Sequence, residues 1–142
     1  MKQSLPKSIL VPTDFSDASR QALHRAADVA QSCSAKLTVI YADRFTPPDE
    51  IDGENLEQSK AAANARLQEE IHNEVPPDVP VDSFVVVDTP VSAILNVARE
   101  RGVDWIVMGT HGRSGVSRLL LGSVTEQVLR RADRPVLTVR SA

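Results

Sequence analysis

The sequence predicts an α/β protein: one doubly wound, five-stranded parallel sheet with helices on both faces. Three observations carry this. Apolar runs alternate with helical patterns along the whole chain, in the order β-α-β-α-β-α-β-α-β. The apolar runs lack polar alternation, as strands covered on both faces do. Right-handed crossovers then wind the helices onto the two sides of the sheet. At 142 residues the chain is expected to form one domain over 1–142, long enough to bury a core.

The first strand is the fully apolar Ile9-Leu10-Val11. Ser16 is placed as the N-cap of the first helix, in which Leu23, Ala26, Ala27 and Ala30 fall at i, i+3, i+4 and i+7. So many alanines on one face suit close packing on a sheet. Leu37 to Ala42 is the second strand. Residues 43–58 carry six acids, two prolines and one glycine and read as an exposed loop. A helix is expected from about Glu57 to Glu74, with a weaker face of Ala63, Leu67 and Ile71, stopped by Pro76-Pro77. Val81 to Val87 is the third strand. Thr89-Pro90 is a cap followed by proline at the first helical position, and Val91, Ile94, Leu95 and Ala98 mark the inward face. Asp104 to Met108 is the fourth strand, Val124 to Ala132 the fourth helix, and Val136 to Val139 the fifth strand.

The most unusual stretch joins the fourth strand to the fourth helix. Residues 109–123 read Gly109-Thr-His-Gly112-Arg113-Ser-Gly115-Val-Ser-Arg118-Leu-Leu-Leu-Gly122-Ser123, with four glycines, two arginines, four hydroxyls and no acid. A glycine-rich loop between strand and helix lets backbone N–H groups approach an anion closely. The helix N-terminus beyond it adds unpaired donors and a partial positive charge. A loop longer than about 12–15 residues in a compact domain is usually functional or disordered. The loop is not a Walker A motif, because no lysine follows any of these glycines. The dinucleotide fingerprint Gly-x-Gly-x-x-Gly is also absent.

Composition bounds the partners. Hydrophobic content is 42%, charged content 25% and net charge -3, ordinary for a soluble domain. Nucleic acid is therefore disfavoured as a partner. A negative protein must concentrate positive potential locally to attract a phosphate, and Arg113 and Arg118 do so here, unless they are only solvated surface charges. The single cysteine, Cys33, excludes an intrachain disulfide and reads as a small buried apolar residue. No span approaches a membrane helix of about 18 apolar residues, so the expected setting is the cytoplasm, with no membrane partner. His24 and His72 have no ligand-spaced partner, and no metal-ligating set is assigned.

The spacing Gly109-x2-Gly112-x9-Gly122-Ser123, together with Pro12-Thr13-Asp14 ending the first strand, resembles the ATP-binding branch of the universal stress protein family. The resemblance runs from Lys7 to Arg140. A sheet in the order 3-2-1-4-5 reverses between strands 1 and 4, and ligands of open α/β sheets bind beyond the strand ends at such a switch. Pro12-Thr13-Asp14 and Met108-Gly109 are the tails of those two strands. Gly109, Gly112 and Gly122 would let the backbone wrap phosphates. Ser123 would serve as N-cap and hydroxyl donor, with the Val124 amide alongside. Asp14, an acceptor-only side chain, suits ribose hydroxyls or a bound metal, or else caps the first helix. The resemblance implies nucleotide contacts at Pro12, Thr13, Asp14, Met108, Gly109, Gly112, Gly122, Ser123 and Val124, and an adenine pocket completed by Tyr41 or Ala42. It implies ATP, with or without Mg2+, as ligand. It also points to a homodimer, in line with the apolar fifth strand lying at the end of the sheet. The family commonly carries a glycine where this chain has Asp88, and a carboxylate there is unfavourable near a triphosphate unless it faces solvent or a metal.

The leading reading is an ATP-binding stress-response sensor or regulator. No Ser-His-Asp set or base-activated nucleophile can be assembled from the spacing, so at most slow ATP hydrolysis or autophosphorylation is expected. His111 reads as a loop side chain rather than a proton-transfer group. Two alternatives stand beside it. One is a nucleotide-free dimer working through protein contacts. The other is a receiver-like phosphoacceptor domain, which Asp14, Asp17 and Asp88 mimic, although the lysine expected after its last strand is missing.

Overall fold

The computed structural model describes residues 4–43, 53–111 and 121–141. Nine elements follow in order: β1 (Ser8–Thr13), α1 (Asp17–Cys33), β2 (Lys36–Asp43), α2 (Gly53–Glu74), β3 (Val81–Val87), α3 (Pro90–Arg101), β4 (Trp105–Gly109), α4 (Ser123–Arg131) and β5 (Val136–Val139). The five strands form one all-parallel sheet in the order β3-β2-β1-β4-β5.

That order overturns the receiver-like alternative, whose first strand lies between strands 2 and 3. Here β1 lies between β2 and β4. Asp88 follows β3, an edge strand, and β2 stands between it and Asp14 at the end of β1. The acids therefore do not meet as a phosphoacceptor cluster requires.

The local signals for helix ends act as expected. Ser16 caps α1 and accepts the Ser19 amide at 3.2 Å. Thr89 is the N-cap of α3 with Pro90 at its first position, and Gly102 ends α3 in the left-handed conformation, φ 62°. Only glycine takes that conformation without cost. α2 departs from expectation: it begins at Gly53, whereas residues up to 58 read as loop. Acids early in a helix complement its positive end, so the composition that indicated a loop equally suits a helix start. In α3, Val97 is buried and Leu95 only half-buried, reversing their expected places. Cys33 is half-buried against the core rather than within it.

Two apolar layers flank the sheet. Ile9, Val11, Leu37 and Val39 pack under α1 and α2 through Leu23, Ala26, Ala27, Ala30 and Leu67. Leu10, Ile40, Ile106 and Met108 face α3 and α4 through Ile94, Val97, Ala98 and Val128. Strand alternation sends Pro12 and Ala42 to the α3/α4 side and Thr13 and Tyr41 to the α1/α2 side. This parity decides which residues reach the cavity described next.

Candidate functional site

β1 and β4 share a short register, Ile9↔Trp105 and Leu10↔Ile106. Beyond it β1 stays with β2 as far as Thr13↔Tyr41, while β4 stays with β5 as far as Gly109↔Val139. The two central strands therefore part company at their carboxyl ends. A cavity of about 200 Å³ opens there, at the topological switch point.

Its floor is apolar. Pro12 of β1, Ile40 and Ala42 of β2, Pro90 and Ile94 of α3, and Met108 of β4 line it. Its other end is polar, formed by Thr13, Asp14, Ser19, Gly109, His111, Gly122, Ser123, Val124 and Thr125. Of the residues expected at a nucleotide site, Pro12, Thr13, Asp14, Ala42, Met108, Gly109, Gly122, Ser123 and Val124 all meet at this one cavity. Tyr41 does not. It points to the opposite face of the sheet, where its ring centroid lies 4.7 Å from that of Phe15. Between Tyr41 and Ala42, the register of β2 puts Ala42 in the cavity. Gly112, Arg113 and Arg118 lie outside the described residues.

The glycine-rich segment leaves and rejoins the fold at one point. The Gly122 N–H donates to the Thr110 carbonyl at 2.7 Å, and the Thr110 N–H donates to the Val139 carbonyl at 3.2 Å. A Cβ on Gly122 would stand 3.0 Å from the His111 Cα, and one on Gly109 would stand 3.1 Å from the Ala18 carbonyl group. Both glycines thus sit in close backbone approaches within the chain, where a Cβ would be crowded apart from any ligand. The N-cap of α4 is Gly122, with Ser123 the first helical residue, so Ser123 is not the cap itself. Glycine supplies no capping side chain, and the first intrahelical bond is donated by Glu126 to the Gly122 carbonyl. No side chain of the N-cap meets the amides of the first turn of α4, which stand at the positive end of the helix dipole.

Asp14 Oδ1 accepts the Ser16 amide at 3.0 Å, an Asx-type turn leading into α1. The helix cap is Ser16, so Asp14 shapes the turn rather than capping the helix. His111 has hydroxyl partners on both ring nitrogens, Thr110 Oγ1 at 3.2 Å from Nδ1 and Ser141 Oγ at 3.3 Å from Nε2. It ties the start of the glycine segment to the tail beyond β5. Asp88 Oδ1 accepts the Thr89 amide at 2.7 Å, at the entry to α3. Among the described residues, no group of three or more His, Cys, Asp or Glu side chains could hold a metal ion. No helix among them is long and apolar enough to cross a membrane.

Sequence reasoning did not single out Ser19, Ile40, Pro90 or Thr125 as cavity residues. Ile40 was legible in principle, because it shares strand parity with Ala42. Thr125 was not: its hydroxyl donates to the Gly109 carbonyl at 2.8 Å, pinning α4 onto β4 across 16 residues of sequence. Equally hidden was Glu70 of α2, buried on the far face of the sheet, whose Oε1 accepts the Thr13 hydroxyl at 2.8 Å.

Known proteins resemble this chain over nearly its whole length. The profile of the universal stress protein family matches residues 6–140. The universal stress protein MJ0531 of Methanocaldococcus jannaschii is 33% identical over 146 residues, covering 97% of this chain and 84% of the relative. The solved structure of MJ0577 from the same organism superposes with a TM-score of 0.69 at 29% identity, covering 97% of this chain and 98% of that one. A universal stress protein solved in complex with cAMP superposes with a TM-score of 0.67 at 30% identity, covering 98% and 100%. The chain belongs to the universal stress protein family.

Proposed function

We propose that residues 1–142 work as one nucleotide-binding domain that takes ATP, with or without Mg2+, in the cleft between the ends of β1 and β4. The observation that carries this is the pairing of an apolar slot with a helix N-terminus whose N-cap, Gly122, has no side chain. Pro12, Ile40, Ala42, Ile94 and Met108 offer a nucleobase a dry, close-fitting surface. Asp14 offers acceptors to ribose hydroxyls. The amides that open α4, with the Ser123 hydroxyl, offer donors to phosphate. The cavity volume, about 200 Å³, lies below the range of about 300–1,000 Å³ usual for ligand pockets. It suits the nucleoside half of the ligand, with the phosphates at the N-terminus of α4 beside Gly122 and Ser123. The role that follows is a nucleotide-responsive regulator in the stress response, working in the cytoplasm, with no catalytic residue assigned.

Isothermal titration with ATP, with and without magnesium, tests this. Its sharpest variant is Ser123→Asp. A carboxylate at the first position of α4 complements the helix dipole and holds or raises stability. The same charge opposes a phosphate and should weaken ATP binding about tenfold or more. A Ser123→Asp protein that binds ATP like the parent removes α4 from the site.

A second reading is a nucleoside monophosphate or cyclic nucleotide. The cAMP-bound relative at 30% identity favours it. Titration with AMP and cAMP in parallel with ATP separates the two readings.

A further inference from the structure

The turn that presents Asp14 is held by α2, which lies across the sheet from the cavity's apolar floor. Thr13 sends its side chain under α1 and α2, where three groups converge on its hydroxyl. Glu70 Oε1 of α2 accepts from it at 2.8 Å, the Phe15 amide donates to it at 3.0 Å, and Ser19 Oγ of α1 lies 3.0 Å away. Ser19 Oγ in turn receives the Asp14 amide, at 3.4 Å. Thr13, Ser19 and Glu70 are all buried. A hydroxyl has one hydrogen and two lone pairs. With the hydrogen directed at Glu70, a lone pair is left to accept the Phe15 amide, so the carboxylate sets the way the Thr13 hydroxyl points.

A second contact from α2 acts on the next residue but one. Phe15 has φ 64°, a left-handed conformation that a bulky side chain seldom adopts. Its ring is held between Tyr41 and the Arg66 guanidinium, which stands 4.1 Å from the ring centroid. Arg66 and Glu70 are four residues apart and share one face of α2. One helix face thus grips both neighbours of Asp14, Thr13 by its hydroxyl and Phe15 by its ring.

We propose that Glu70, assisted by Arg66, is a positioning residue of the nucleotide site, fixing through Thr13 and Phe15 the turn that carries Asp14. This rests on the nucleotide reading above, with α2 touching the ligand only through that turn. Any partner or modification that shifts α2 would then change nucleotide affinity without entering the cavity.

The test uses three variants of the full chain: Glu70→Ala, Glu70→Gln and, as a control on the same helix, Leu67→Ala. Leu67 is fully buried between α2 and the sheet and makes no hydrogen bond to the turn. Two quantities are measured where each protein is folded: ATP affinity by calorimetry, and the hydrogen-exchange rate of the Phe15 amide. Glu70→Ala should weaken ATP binding about tenfold, since binding must then order a turn that Glu70 no longer holds, and should speed Phe15 exchange. Glu70→Gln keeps an acceptor oxygen and should stay near the parent in both. Leu67→Ala should lower the melting temperature at least as much while leaving both quantities near the parent. An unchanged affinity in Glu70→Ala, or equal losses in Leu67→Ala, overturns the inference. Should Glu70→Ala fail to fold, Glu70→Leu, which fills the same space without an acceptor, is read in the same way. If the parent itself binds no ATP, the nucleotide reading falls, and Phe15 exchange alone decides whether Glu70 fixes the turn.

Discussion

Gly109 lies against the backbone of Ala18, so that a Cβ on Gly109 would stand 3.1 Å from both the carbonyl carbon and the carbonyl oxygen of Ala18. This contact seats the first turn of α1 directly on the end of β4. Backbone cannot yield as a flexible side chain can. Gly109→Ala should therefore destabilise the protein by about 1–3 kcal/mol, the usual cost of overpacking. Urea unfolding of parent and variant checks this. A loss below the experimental error would mean that α1 moves away freely.

Asp14 is the carboxylate proposed to read ribose. Replacing ATP by 2′-deoxy-ATP should cost about 1–3 kcal/mol if a buried acceptor is left unpaired. Asp14→Asn is the informative variant, because it retains an oxygen for the Ser16 amide and so keeps the turn. Discrimination between the two nucleotides should shrink in Asp14→Asn. Calorimetry showing equal discrimination in both proteins would confine Asp14 to shaping the turn.

Glu70 also makes stability depend on pH. Burial pushes its carboxyl above its ordinary value, and Glu74 and Asp14 push the same way, against the Thr13 hydrogen bond and Arg20. The native state therefore holds this proton more tightly than the unfolded chain does. Stability should fall as pH rises from the ordinary glutamate value through the raised native one, then level off. Glu70→Gln lacks this dependence, so its stability relative to the parent should rise across that window. Denaturation at a series of pH values from acid to neutral checks the sign, and a constant difference would show that burial is not the dominant influence.

The homodimer is proposed to form through β5, which among the described residues pairs with β4 alone and carries the exposed Leu137, with Leu129 exposed on the neighbouring α4. The carbonyls of Pro135 and Val139 accept from Ile106 and Thr110. Odd-numbered residues of β5 therefore face β4, and Val136 and Thr138 turn their N–H groups to the free edge. Proline at 139 would cut the sheet itself. Thr138→Pro removes an outward donor instead, in the edge position where proline is tolerated. Light scattering should give a dimer for the parent and a monomer for Thr138→Pro. A parent that is monomeric at micromolar concentration ends this proposal.

Much of the architecture was determined by short windows of sequence. The apolar runs at Ile9–Val11 and Val81–Val87, the cap at Ser16, the Thr89-Pro90 start and the glycine spacing from Gly109 to Gly122 each act over a few residues, where periodicity, turn chemistry and capping operate. Strand parity put Pro12 and Ala42 on one face and Thr13 on the other as soon as the register of β2 was set. The tertiary structure decided what depends on pairings between distant residues. The parting of β1 from β4 beyond Leu10↔Ile106 makes the cavity, and no local pattern encodes where two strands stop pairing. A Cβ on Gly109 or Gly122 would be crowded by Ala18 or His111, which only folding brings against those glycines. The role of Glu70 needed α2 packed over β2 and β3 beside α1, because its partner Thr13 is 57 residues away in the chain. In the sequence Glu70 is one more acid on a polar helix. Its function arises from the burial and the hydroxyl that the fold supplies.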